Sequence, residues 1–194
     1  MLAINILMKN LIMTLALILF APLVHSTQKA SVYLDEQVTF DNGEVLQLNG
    51  AGLMGKLWIN LYVCSLYLAN KNSNVIEILS SSSAYRLQMD FVYREVTQKK
   101  LLKDWRDGFE KNQDKQTIIR LKNQIEQFYS YFNTSAVKGD RYQLDYIPGK
   151  GTKIIKNKVL LGIIPGVDFK NILLEIWLGN FSADSSLKKS LLGL

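Results

Sequence analysis

Residues 50–68 read GAGLMGKLWINLYVCSLYL, and this stretch decides the fold. Gly50, Gly52 and Gly55 lead into an unbroken run of β-branched, aromatic and aliphatic residues. Glycine adopts turn conformations without steric cost, and such runs favour strands, so the reading is a tight glycine turn feeding a long central strand from Leu57 to Leu68. One face of that strand carries Leu57, Ile59, Leu61, Val63, Ser65 and Tyr67; the other carries Trp58, Asn60, Tyr62, Cys64, Leu66 and Leu68. The mixture on the second face fits a strand covered on both sides, or one whose second face lines a cleft.

Before this stretch, Asn42-Gly43 separates Val38–Phe40 from Glu44–Leu48, which predicts a β-hairpin. After it, Val75–Leu79 reads as one short helix. Ala84 to Tyr93 then alternates, with Tyr85, Leu87, Met89, Phe91 and Tyr93 facing a core and Arg86, Gln88 and Asp90 on a wet face. From Thr97 the period changes: Leu101, Trp105 and Phe109 recur every four residues, and Asn112 falls on the same stripe. A second helix is predicted from Thr117 to Phe132. Tyr142 to Tyr146, Thr152 to Lys156 and Val159 to Ile164, joined by short turns, predict an antiparallel meander. Val167 to Leu178, with Phe169, Leu173, Ile176 and Trp177 on one side, reads as a helix stopped by Gly179, and Asp184 caps a last helix with Leu187, Leu191 and Leu192. Strands, helices, strands and helices follow one another without βαβ alternation, so the fold class is α+β, mostly antiparallel, with helices on one face of the sheet.

The chain has 194 residues, is 48% hydrophobic and carries a formal charge of +6, which suits a single domain with a sizeable core. Residues 1–26 have one cation, Lys9, an apolar run from Leu11 to Ala21 and the small-residue site Val24-His25-Ser26, the anatomy of a secretory signal peptide. Cleavage after Ser26 is expected, leaving a domain over 27–194 in an exported, periplasmic setting; an uncleaved signal would be the only membrane contact. His25 is the one histidine and Cys64 the one cysteine, so the mature chain has no His base, no His-ligated metal and no internal disulfide. Its bases are scattered along the chain, and export makes nucleic acid an improbable partner. No metal or cofactor is expected.

Gly50-Ala51-Gly52, the strand ending Ser65-Leu66-Tyr67-Leu68, Trp105-Arg106-Asp107-Gly108-Phe109 with Asn112, Tyr142 to Gly149 with Gly151, and Ile176-Trp177-Leu178-Gly179 together resemble, in order, the signatures of the chalcone isomerase-like family, in its exported bacterial branch. The resemblance spans about residues 36 to 194. It implies an open-faced β-sandwich, a large antiparallel sheet under a layer of helices with a cleft between them. It also implies either ring closure of a chalcone, in which an arginine, a threonine and a tyrosine polarise the reacting oxygens, or non-catalytic fatty-acid binding in the same cleft. In the residue-by-residue carry-over Met54 stands in the arginine position, Tyr62 in the threonine position, Trp105 in the tyrosine position and Ile176 in a hydroxyl position. Asn112 alone matches. Losing one donor to a developing enolate commonly costs about 3 to 4 kcal/mol. The leading expectation is therefore an exported, non-catalytic binder of a small, largely apolar, fatty-acid-like ligand. Met54, Tyr62, Trp105 and Asn112 would line its cleft, and Lys56 would offer a charge to a carboxylate. The alternatives are a chalcone isomerase-type lyase or isomerase, with Lys56 replacing the arginine, and a structural or partner-binding protein with a closed cleft.

Overall fold

The computed structural model describes residues 26–56 and 58–194; the segment 1–25, with nearly all of the predicted signal peptide, lies outside the described residues. Period-two apolar patterning builds a seven-stranded antiparallel sheet. Its strands are β3 (Gln37–Thr39), β4 (Val45–Lys56), β5 (Ile59–Leu68), β6 (Tyr85–Phe91), β9 (Arg141–Ile147), β10 (Gly151–Lys156) and β11 (Val159–Ile164), in the spatial order β11-β10-β9-β6-β5-β4-β3. Two short ribbons, β1 (Ser26–Lys29) with β2 (Val32–Asp35) and β7 (Glu95–Val96) with β8 (Ala136–Val137), lie outside it. The predicted Asn42-Gly43 hairpin joins β3 to β4, with Gly43 at φ +84°.

Register puts one row of side chains on the inner face. Met54 lies opposite Tyr62, which lies opposite Phe91. Cys64, Met89 and Tyr142 form the next rung, and Leu66, Leu87, Leu144 and Ile154 the one beyond it. On this face sit α1 (Val75–Ser80), α2 (Gln98–Asn112), α3 (Lys115–Arg120), α4 (Lys122–Ser130), α5 (Val167–Leu178) and α6 (Ser185–Leu191). Side chains cap α1, α2, α3 and α6: Asn74, Thr97, Asp114 and Asp184 each accept a backbone N–H of the first turn. The helix predicted over Thr117–Phe132 is in fact two, because the backbone at Leu121 leaves helical geometry at φ −102°, ψ 15°.

The largest departure from the sequence reading is at the glycines. They make no turn: Gly50, Gly52 and Gly55 lie within the twelve-residue strand β4, and the chain reverses after Lys56, which pairs with Ile59. What the glycines provide is room. A Cβ on Gly50 would come within 2.1 Å of the Ser190 carbonyl oxygen, and one on Gly52 within 2.7 Å of the Leu187 side chain. Helix α6 thus rests directly on the β4 backbone. Asn49 locks this contact: its amide donates to the carbonyls of Leu191 (2.7 Å) and Asn72 (3.0 Å) and accepts from Asn72 N (2.7 Å).

The predicted wet face of β6 is also corrected. Gln88, Asp90 and Asp145 are buried, and the register sets Arg86 against Asp145, Gln88 against Gln143 and Asp90 against Arg141. Arg86 holds Asp145 in a two-pronged pair at 2.7 and 2.6 Å, Gln143 donates to Gln88 at 2.9 Å and Arg141 to Asp90 at 2.5 Å. Burial pushes the Asp145 carboxyl up and the Arg86 guanidinium pulls it back. Buried polar groups are tolerated when each finds a partner, and these do.

Lys170 of α5 is buried to 1% exposure, and among the described residues no carboxylate pairs with it. Its ammonium donates to the carbonyls of Leu79 (3.0 Å) and Ser81 (2.6 Å), tying the end of α1 to α5, and stands 5.5 Å over the Tyr146 ring. Desolvation lowers its pKa from 10.5 to about 8.

Two outcomes follow. Gly50→Ala is expected to cost about 1–3 kcal/mol, because the atoms met are backbone and cannot swing aside. Urea unfolding measures the loss, and faster amide exchange over residues 185–191 locates it. Between about pH 8 and 10 the unfolded chain binds a proton at Lys170 that the folded chain has released, so stability rises with pH, by on the order of 2 kcal/mol. Above pH 10 the tyrosines of the interior reverse the slope: the phenols of buried Tyr67 and half-buried Tyr129 are pushed up to about 12 by desolvation, so the unfolded chain loses protons first. Lys170→Met removes the rise and leaves the fall, which unfolding curves across that pH range will show.

Candidate functional site

The inner face of β4 carries no side chain at Gly50 or Gly52; the next inward residue is Met54, 8% exposed and opposite Tyr62. Beyond the glycine stripe the helical layer stands off, and a cavity of about 40 Å³ remains, lined by Met54, Leu61, Tyr62, Met89, Phe91, Val96, Leu101, Asp104, Trp105, Ile176 and Ala183. It opens towards a surface groove of about 360 Å³ that shares Met54, Asp104 and Ala183 with it and adds Lys111 and Phe181.

Trp105 comes from the buried stripe of α2 and is packed against Phe132 (5.0 Å between ring centres), Phe128 (5.1 Å) and Trp177 (5.5 Å). A glycine makes that packing feasible: a Cβ on Gly108 of the same helix would meet the Ile176 side chain at 2.9 Å, so α2 and α5 approach closely there. The Trp105 indole N–H is buried and has no hydrogen-bond partner. Tyr62 is half-buried, its ring 5.3 Å from Phe91, and its hydroxyl accepts the Trp177 indole N–H at 3.3 Å. Burial pushes the Tyr62 phenol up, so it stays protonated. The thiol of Cys64, one rung deeper, is fully buried and pushed up likewise. The charged residue of the lining is Asp104, whose carboxylate is hydrogen-bonded by Lys100 one turn earlier on α2.

Of the residues singled out in the sequence, Met54, Tyr62 and Trp105 come together around this cavity. Asn112 does not join them. Its Oδ1 accepts the Phe181 N–H at 3.1 Å, and its Nδ2 donates to the carbonyls of Gly108 (3.0 Å) and Phe181 (3.2 Å). The amide is thus occupied in holding the loop between α5 and α6 against the end of α2. The Lys56 side chain lies outside the described residues. Ile176 lines the cavity as an aliphatic residue. Sequence reasoning missed Leu61, Met89, Phe91, Val96 and Leu101, hidden among core residues of the same type, Asp104 on α2, and Ala183 at the mouth, whose loop has no period to read. Among the described residues no cluster of His, Cys, Asp or Glu could hold a metal ion.

Comparison with curated protein sequences returns no significant match. Among solved structures, a fatty-acid binding protein of Arabidopsis thaliana superposes with a TM-score of 0.67 at 13% sequence identity, over 87% of this chain and 96% of that one. At that identity the likeness establishes a shared fold: the large antiparallel sheet with helices on one face. The family description that matches, chalcone isomerase-like, covers residues 26–193, so this chain belongs to the chalcone isomerase-like family.

Proposed function

We propose that this protein is an exported, non-catalytic binding protein for a small, largely apolar ligand of fatty-acid type, held between the sheet and α2 and α5. The observation that carries this reading is the chemistry of the cavity: ten of its lining residues are apolar or aromatic, and the one carboxylate, Asp104, would disfavour an enolate developing beside it. The family resemblance read from the sequence, which puts Met54 in the arginine position, points the same way. A chalcone-type closure needs a positive charge at that place, so the lining speaks for binding over chemistry. The solved structure of similar fold is a fatty-acid binding protein, which supports the same ligand class. Export rests on the sequence of residues 1–26 alone.

Sites for drug-sized ligands enclose roughly 300–1,000 Å³. The inner cavity, about 40 Å³, is far below that, so a chain-like ligand must displace side chains to enter. Met54 and Met89 suit this, because unbranched thioethers repack at little cost. The adjoining groove gives the entering chain room at the mouth. The small volume also favours a second reading, a closed cleft with a purely structural or partner-binding role.

Titration with palmitate followed by native mass spectrometry separates the two. Ligand binding requires a one-to-one adduct of fatty-acid mass, and Ala183→Trp, an exposed change at the mouth, is expected to weaken it tenfold or more, about 1.4 kcal/mol, without lowering Tm. A protein that stays empty at every concentration, with intrinsic tryptophan emission unchanged, is the closed-cleft result.

A further inference from the structure

The β4–β5 hairpin reverses between the paired Lys56 and Ile59, and Trp58 is the described residue of that turn. Two-residue turns of this kind favour Asn-Gly or Asp-Gly, because left-handed backbone is required. Here a tryptophan occupies such a position, with φ +71°, a costly conformation for a bulky side chain. It gains no packing in return: Trp58 is fully exposed, while Trp105 and Trp177 are at 5% and 1%. Ile59 beside it is 44% exposed.

The surroundings of this tip are basic. The carbonyl of Leu61 accepts the N–H groups of Val92 (3.0 Å) and Tyr93 (3.2 Å), which brings the β6–β7 turn, with exposed Arg94, alongside β5 near the tip. Lys138, also exposed, shares an open hollow of about 430 Å³ with Asn60. Lys56 precedes the turn in sequence, against one acid in the neighbouring turn, Glu95. The tip is also at the cavity's end of the sheet: Leu61 and Tyr62, three and four residues after Trp58, line the cavity.

We propose that the β4–β5 tip docks on the surface of an anionic lipid bilayer, with Trp58 seated in the interface. Tryptophan settles at the headgroup level because its ring is apolar and its N–H polar, and lysine and arginine beside it are drawn to anionic lipid. One fully exposed tryptophan with a half-exposed isoleucine beside it is too small for a stable protein–protein interface, which needs about 800 Å² per partner. Among the described residues no helix is long and apolar enough to cross a membrane, so the contact is peripheral. Resting on the ligand class proposed above, docking places the mouth of the cavity at a source of fatty acyl chains.

The test mixes the full chain with vesicles of phosphatidylcholine, with or without phosphatidylglycerol, and follows tryptophan emission and co-sedimentation. The N-terminal apolar run is common to parent and variants, so differences between them isolate the tip. Phosphatidylglycerol vesicles are expected to blue-shift the parent's emission, and Trp58→Ala to abolish that shift and weaken partitioning at least about tenfold. Arg94→Gln and Lys138→Gln each weaken it about fivefold. Trp58→Ala keeps the parent's Tm and its uptake of palmitate from solution. The proposal is overturned if the parent shows no shift, if Trp58→Ala partitions like the parent, or if the difference between parent and Trp58→Ala is as large on phosphatidylcholine alone. Trp58-dependent partitioning without palmitate uptake would uphold docking and remove the cavity reading alone.

Discussion

The rest of the structure depends on the direct seating of α6 on the backbone of β4. Side chains hold helices and sheets well apart, and removing them at two successive inward positions, Gly50 and Gly52, lets the carbonyls at the end of α6 come within reach of strand backbone. Asn49, next to the stripe, fastens the same helix end and the Asn72 loop together. Along β4 the contrast is sharp: where the inward side chains vanish the layers touch, and where they resume, at Met54, a cavity begins. The void and the close contact are two consequences of one period-two pattern, so the position of the cavity is set by where the glycines stop.

The other half of the molecule is held differently. Aromatic rings run from Tyr62 through Phe91 and Tyr142 to Phe132, Trp105 and Phe128, each about 5 to 6 Å from the next, filling the space between sheet and helices. Such pairs add to simple area burial through their edge and face geometry. On the opposite face of the sheet the rungs between β6 and β9 are polar and mutually satisfied. Because Arg86, Gln88 and Asp90 find complementary partners directly across the ladder, the face can be covered without orphaning a charge.

These features explain how far the sequence could be read. Alternation and helical periods placed the strands and helices, because burial on one face leaves a period in the chain. The glycines were legible as special and not as to purpose, since the same residue serves a turn and a close approach, and the helix that fills the space lies about 140 residues further on. Asn112 was legible as an amide on an apolar stripe that must find partners; its partner, the Phe181 backbone, sits in a loop with no pattern. Met54, Tyr62 and Trp105 were found through resemblance to the family, and their convergence on one cavity is a matter of register, Met54 facing Tyr62 across the ladder. The alternation of β6 gave the right faces and the wrong solvent exposure, because pairing between Arg86 and Asp145 is a property of two strands and not of one.

Electrostatics then separates the uses to which this frame can be put. Stabilising an enolate calls for a cation aimed into a dry site before the reaction starts. Among the described residues the buried or half-buried cations are all engaged: Arg86 with Asp145, Arg141 with Asp90, Lys153 with Asp41, Lys156 with Asp140, Lys170 with the carbonyls of Leu79 and Ser81, Lys188 with the carbonyl of Gly179, and Lys100 with Asp104 of the cavity lining. The cavity lining instead offers thioethers, aliphatic chains, aromatic rings and an unpaired indole N–H. On the binding role proposed above, such a surface would attract a ligand through burial of apolar area and orient it through a single donor, with flexible side chains at the mouth giving way because the resting volume is small. The family's fold is retained, and position 54, opposite Tyr62 on the inner face, presents an apolar side chain to the cavity.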